Sequence, residues 1–218
     1  MAERDAGPLD DEAAITLGLL NAVHENSALT QRSVARELGI ALGLANAYLK
    51  RCAKKGLIKV SQVPPNRYAY YLTPQGFAEK SRLTAEYLSS SFTFFRRARA
   101  QCAEAFETCA ERGWSRVALA GTGDLCEIAI LCARDFPVTL LGCVERGEGA
   151  SDARFGGLAV TRDIQSLGAV NAVVVTDLVK PQATFESVVA QFAPERVLTP
   201  ALLKVVRAPN GDTPEAAR

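Results

Sequence analysis

Apolar positions in "EAAITLGLLNAVHEN" recur with helical spacing, and Ile15, Leu17, Leu19, Leu20 and Val23 form one stripe. In the following "ALTQRSVARELGIALGLANAYLKRCAKKGLIKV", Thr30 is expected to cap a short helix running to Leu38, with Val34, Leu38 and Ile40 turned inward. Gly39 supplies a tight turn. A second helix is expected from about Ala41 to Lys55, closed by Gly56 in the left-handed conformation. "LIKVSQ" and "RYAYYLT" then read as two strands joined by the loop "VPPN", whose prolines exclude a helix. Thr73 caps and Pro74 begins the next helix.

Two short helices about a glycine turn, followed by a two-stranded wing, form a winged helix-turn-helix. Charge sharpens that reading. The net charge of +1 hides a segment, Ser27 to Tyr70, with eight Lys/Arg against Glu37 alone. Arg116 to Arg218 carries ten bases and twelve acids. A basic module beside a near-neutral one points to polyanion binding by the first. Helical phase puts Ala45, Leu49 and Cys52 in the core. It turns Leu42, Gly43, Asn46, Ala47, Lys50, Arg51 and Lys54 toward a DNA groove. Asn46 has the chemistry to read adenine, and Arg51 to read guanine or hold phosphate. Thr30, Gln31 and Arg32 stand at a helix N-terminus, which favours phosphate. Arg67 is placed to reach the minor groove from the wing. A solvated basic face, or a protein-binding winged helix, is the alternative.

On the residues "LTQRSVARELGIALGLANAYLKRCAKKGLIKV" and "YLTPQGFAEKSRLT", the stretch Glu12 to Leu88 resembles MarR-type winged helix regulators, in particular those associated with exopolysaccharide gene clusters. The resemblance implies double-stranded DNA as partner.

From Pro74 to Arg112 no stop appears except the serines at Ser89 to Ser91, so one long helix, or two with a kink there, is expected. Leu88, Phe92, Phe95, Cys102, Phe106 and Cys109 fall near heptad spacing, interrupted by Arg99. That stripe is read as a homodimer seam, with intramolecular core as the alternative, because operators are usually read by two-fold dimers. The resulting organisation is 1–73 for DNA binding, 74–113 for the linking helix and 114–218 for a further domain.

In the last domain, strands "RVALA", "VTLLGCVE", "LAVT", "AVNAVVVTD" and "RVLTP" alternate with helices "DLCEIAILCARD" and "PQATFESVVAQFA", which means a parallel sheet with crossovers. The fold class is therefore α/β, with a Rossmann-like sheet following the winged helix. "VALAGTGDLCEIA" places Gly121 and Gly123 between a strand and a helix, the context of a dinucleotide turn. Glu145 ends the next strand, where a ribose-binding acid belongs. Cys126 takes the third glycine's place. Gly121, Thr122, Gly123, Asp124, Leu125, Glu145 and Asp177 make the candidate ligand site; a purely structural turn is the alternative. Asp124 and Glu127 suit the helix dipole but repel phosphate. "VALAGTGDLCEIAI", "VTLLGCVE", "GGLAVTRDIQSL" and "NAVVVTD" resemble the nucleotide-sugar-type Rossmann domains of sugar-modifying proteins. The order of the two domains resembles redox-sensing repressors that bind NADH. Those resemblances imply a nucleotide-sugar or NAD(H) as ligand.

No nucleophile elbow, P-loop lysine, SxxK or metal pair is present in the motifs, so no enzyme activity and no metal are expected. His24 lies in the DNA-binding half. No apolar run reaches bilayer length and the acidic start lacks a signal-type core, so a cytoplasmic location with six reduced cysteines is expected. Cys126, at a helix N-terminus, is either an oxidant-sensitive thiol or an inert buried one. The reading is a dimeric transcription regulator with a sensor or scaffold domain. A redox regulator responding to NAD(H) or thiol oxidation, and a Rossmann enzyme with an appended winged helix, remain the alternatives.

Overall fold

The computed structural model describes residues 10–63, 67–145 and 154–207, with the side chains of Val63 and Arg67 outside the described set. It divides into two compact units, 1–94 and 95–218.

The first unit opens with α1 (Asp11–Glu25), whose stripe buries Leu17, Leu19, Leu20, Ala22 and Val23. Helix α2 (Gln31–Glu37) starts at Thr30 in a capping box: the Thr30 hydroxyl accepts from the Ser33 N–H, and Ser33 returns the bond to the Thr30 N–H. Gly39, at φ +63°, makes the turn into α3 (Leu42–Lys54). Ala45, Tyr48, Leu49 and Cys52 are buried there, as the helical phase requires. Strands β1 (Ile58–Val63) and β2 (Arg67–Leu72) pair antiparallel with Val60 opposite Tyr70. The loop prolines and Asn66 lie outside the described residues. The Tyr70 N–H donates to the Ser27 carbonyl, tying the wing to the α1–α2 connection.

Helix α4 (Pro74–Glu111) runs without interruption through the three serines. The Thr73 hydroxyl caps it by accepting from the Gly76 N–H at 3.0 Å, while donating to the Gly56 carbonyl at 2.6 Å. Gly76 is required by packing: a Cβ there would run into the Leu57 carbonyl oxygen. Gly76→Ala is therefore expected to cost about 1–3 kcal/mol through overpacking, read as a lower urea midpoint with an unchanged slope.

The dimer seam expected along α4 is divided. Cys102, Phe106 and Cys109 are buried in the core of the second unit, so the expectation that they form an intermolecular seam is corrected. An apolar stripe specifies burial, not the partner that provides it. Tyr87, Leu88, Phe92 and Phe95 remain exposed.

The second unit is built on six strands: β3 (Arg116–Ala120), β4 (Thr139–Val144), β5 (Arg154–Phe155), β6 (Leu158–Thr161), β7 (Ala172–Val175) and β8 (Val197–Leu198). Their order is β5-β6-β4-β3-β7-β8, parallel except for the edge pair β5–β6. The chain moves outward from β3 to β4 and β6, then returns to lay β7 on the other side of β3. Every residue of β7 is buried, as a strand covered on both faces requires. Helices α5 (Asp124–Ala133) and α6 (Pro181–Val189) follow β3 and β7. Short 3₁₀ turns at Ile164–Leu167, Pro194–Arg196 and Ala201–Leu203 complete the unit. Among the described residues, no helix is long and apolar enough to cross a membrane.

Candidate functional site

The exposed face of α3 carries Gly43, Ala47, Lys50 and Lys54, with Leu42 and Leu44 exposed at its start. Spacings of three and four residues align the first four along one line. Asn46 is half-buried on the flank toward the wing. There it lines a cleft of about 270 Å³ with Gln31, Lys50, Val60 and Tyr68. Arg51 lies on the opposite flank. Its guanidinium Nη1 donates to Glu12 Oε1 at 2.5 Å and stands 5.3 Å from the Tyr48 ring centroid. Glu12 thus shares Arg51 with any phosphate that approaches. Thr30 and Arg32 are exposed at the start of α2. The Thr30 hydroxyl and N–H are already engaged in the capping box, which leaves the following amides to meet an anion. Arg67 begins β2, and its side chain lies outside the described residues.

Glu12 and Tyr68 were not identified from the sequence. Tyr68 has a sequence signal, an aromatic in a wing strand. Glu12 has none, because its partner is 39 positions away.

In the second unit, the Gly-Thr-Gly turn sits at the carboxyl end of β3, where the strand order reverses. That is the place at which open α/β sheets form ligand crevices. Its two glycines have different causes. Gly121 has φ +101°, and a Cβ would stand 2.5 Å from the Asp177 Cβ and 2.7 Å from its backbone nitrogen, so packing alone demands glycine. Gly123 has φ +129°, and a Cβ there would meet nothing within 4 Å. Gly123 is also the N-cap of α5 and brings no side-chain cap. The α5 N-terminus beside it is therefore open and carries the positive end of the helix dipole.

Glu145 reaches this turn from the end of β4. Its Oε2 accepts from the Thr122 N–H at 2.8 Å and from the Thr122 hydroxyl at 2.9 Å. Asp177 is engaged internally. Its Oδ1 accepts from the Val179 and Lys180 amides at 2.7 and 3.0 Å, and Oδ2 from the Thr184 hydroxyl at 2.6 Å. Leu125 is fully buried, so its side chain is withheld from any ligand at the turn. Asp124 is exposed on the first turn of α5. Thr176, buried beneath the turn, donates to the Gly121 carbonyl at 2.6 Å. Among the described residues, no group of three or more His, Cys, Asp or Glu side chains is arranged to hold a metal ion.

Partial burial pushes the Asp177 carboxyl up, but the Thr184, Lys180 and Val179 hydrogen bonds and the Lys180 charge outweigh it and hold the group below its ordinary value. A depressed folded value stabilises fully above the unfolded pKa of about 3.9 and is lost as pH falls through the folded value. Asp177→Asn should therefore remove a stability contribution present at neutral pH, and the gap between wild type and variant should close in acid. Urea unfolding from pH 7 down to about 2 reads it. A gap that stays constant across that range overturns the assignment.

Residues 13–59 match the family model described as winged helix-turn-helix DNA-binding. Among curated protein sequences, none matches the chain. Solved structures with similarity include the PcaV transcriptional regulator from Streptomyces coelicolor, at 22% identity and a TM-score of 0.36, covering 38% of this chain and 62% of that one. The MarR family protein Rv2887 of Mycobacterium tuberculosis, in complex with p-aminosalicylic acid, is 17% identical with a TM-score of 0.35, covering 38% and 64%. MepR, a transcription regulator of the Staphylococcus aureus multidrug efflux pump MepA, is 26% identical with a TM-score of 0.34, covering 38% and 62%. The chain spans less than two thirds of the length of each. The N-terminal unit is a winged helix-turn-helix of the DNA-binding type.

Proposed function

We propose that this chain is a MarR-type transcription regulator that reads duplex DNA as a homodimer, with a Rossmann-like unit that takes a nucleotide-type ligand and performs no turnover. The observation that carries the DNA reading is the open face of α3, with Lys50 and Lys54 in line and Asn46 and Arg51 on its flanks. Selection of genomic fragments by the purified chain, followed by anisotropy titrations across salt, tests it. Selected duplexes should bind more tightly than random ones, and affinity should fall linearly in log–log form with salt. No preference for any fragment would sink the regulator reading. Genes for polysaccharide synthesis beside the selected sites would support the narrower regulatory role.

The ligand reading rests on the open space at Gly123 beside an uncapped helix start. Glu145 keeps Oε1 without a hydrogen bond among the described residues, in the position of a ribose-binding acid. Calorimetry against NAD, NADH and several nucleotide-sugars tests it. Wild type should bind at least one, and Gly123→Val should block that binding by filling the space at the turn. The variant's unliganded melting curve separates lost binding from backbone strain at this positive φ. If none of these ligands binds wild type, the turn is structural only.

Exposed Tyr87, Leu88, Phe92 and Phe95 on α4 support a seam between two copies. Phe92→Glu is expected to shift the light-scattering mass from dimer to monomer while leaving the melting curve near wild type. A wild-type monomer at micromolar concentration removes the dimer from the reading.

A further inference from the structure

Beneath the Gly-Thr-Gly turn two thiols meet. The Cys126 sulfur, on the first turn of α5, lies 3.6 Å from the Cys143 sulfur near the carboxyl end of β4. Both side chains are fully buried. Cys126 occupies the point where the helix comes down onto the sheet, the place a third glycine would hold. Cys143 stands across from it on the strand that delivers Glu145.

The remaining thiols have a different chemistry. Burial raises Cys52 and Cys132, pushes Cys102 up to about 12 and pushes Cys109 up to about 11, which keeps all four protonated and inert. In the pair, the hydrogen bond with Cys143, and then burial, raise Cys126. The same contact, in which either sulfur can be the donor, lowers Cys143 from the ordinary thiol value against burial. The pair therefore holds two sulfurs within reach of each other, one to meet an oxidant and the other to resolve the product.

We propose that Cys126 and Cys143 form a modification site that takes a two-electron oxidation from hydrogen peroxide and closes into a disulfide. The Cys143 sulfur attacks one peroxide oxygen, the O–O bond breaks, and the departing hydroxide takes the thiol proton as water. The Cys126 sulfur then displaces hydroxide from the Cys143 sulfenic acid, forming the S–S bond. The Cys126 proton completes the second water. Two thiols lose two electrons and two protons, and one peroxide becomes two waters.

Closing the bond requires the sulfurs to approach from 3.6 Å to about 2.0 Å, a movement of about 1.6 Å. The first turn of α5 is the element free to make it. Its N-cap is a glycine with no side-chain cap, and local opening there is cheaper than opening the sheet. The same opening admits peroxide. The bond would pin that turn to β4, whose continuation, Glu145, already holds Thr122.

The test uses the full chain, reduced and then exposed to hydrogen peroxide. Free thiols are alkylated in denaturant and located by peptide mass. Cys126 and Cys143 should lose alkylation together by at least about tenfold and yield one peptide pair linked through these two sulfurs. Cys52, Cys102, Cys109 and Cys132 should remain alkylated, and dithiothreitol should restore both lost sites. Cys126→Ser should give no linked pair. The wild-type map decides the matter even if that variant folds poorly. Full alkylation of Cys126 and Cys143 after peroxide, or a linked pair containing any other thiol, overturns the proposal.

Discussion

Phe106→Glu is expected to unfold the C-terminal unit. The Phe106 ring is fully buried, 6.0 Å from the Phe136 ring, in a core shared with the sheet. Removing a buried phenylalanine side chain costs about 3–5 kcal/mol, and an unpaired carboxylate in its place adds several more. A domain's whole stability is about 5–15 kcal/mol. Loss of the sheet signal in circular dichroism, together with rapid amide exchange through β3 and β7, would report it. Phe95→Glu, at a partly exposed position on the same helix, should leave the fold intact. If Phe106→Glu instead gives a folded chain with a near-normal urea midpoint, Phe106 is not core, and a seam between two copies through it is favoured.

Replacing Lys50, Arg51 and Arg67 together with alanine is expected to weaken duplex binding by at least about a hundredfold at 0.1 M salt while leaving the melting curve near wild type. The reason is counterion release. Each cation that neutralises a phosphate adds about 0.9 to the log–log salt slope, so three lost contacts on each of two protomers should flatten it by about five. Lys50 and Arg51 are exposed on α3, and neither belongs to the buried cluster of the first unit. Arg51 carries a further consequence. Glu12 engages it in the free protein, so duplex and carboxylate compete for one guanidinium. Anisotropy on a selected fragment measures both affinity and slope. Unchanged binding by the triple variant would remove α3 and the wing as readers.

Much of the first unit is local chemistry. A threonine followed by a helical stripe, a glycine after it, and Thr73 before Pro74 each act within a few residues, and Thr30, Gly39, Gly56 and Thr73 take the roles expected of them. The central strands β3 and β7 of the second unit are legible for the same reason, since a strand buried on both faces is continuously apolar wherever it pairs. The two-residue β5 is too short to leave such a pattern, and it lies beside the undescribed segment 146–153.

Local pattern along the chain thus marks most of the elements, the segregation of charge onto the winged helix and the position of the Gly-Thr-Gly turn. Which groups those elements bring together follows from packing alone. Periodicity marks Phe106 and Phe92 alike as apolar, but only the packed sheet covers Phe106 and leaves Phe92 exposed. Glu145 holding Thr122, Asp177 satisfied by Thr184 and its own loop, and Cys126 against Cys143 are pairings across 7 to 23 positions. The Asp177 pairings are made within one loop and the helix it leads into, whereas Glu145 with Thr122 and Cys126 with Cys143 join neighbouring strands and their helix, which no local propensity records. A side chain's identity determines the bonds it can make, and the fold determines which partner comes within 3 Å to make them.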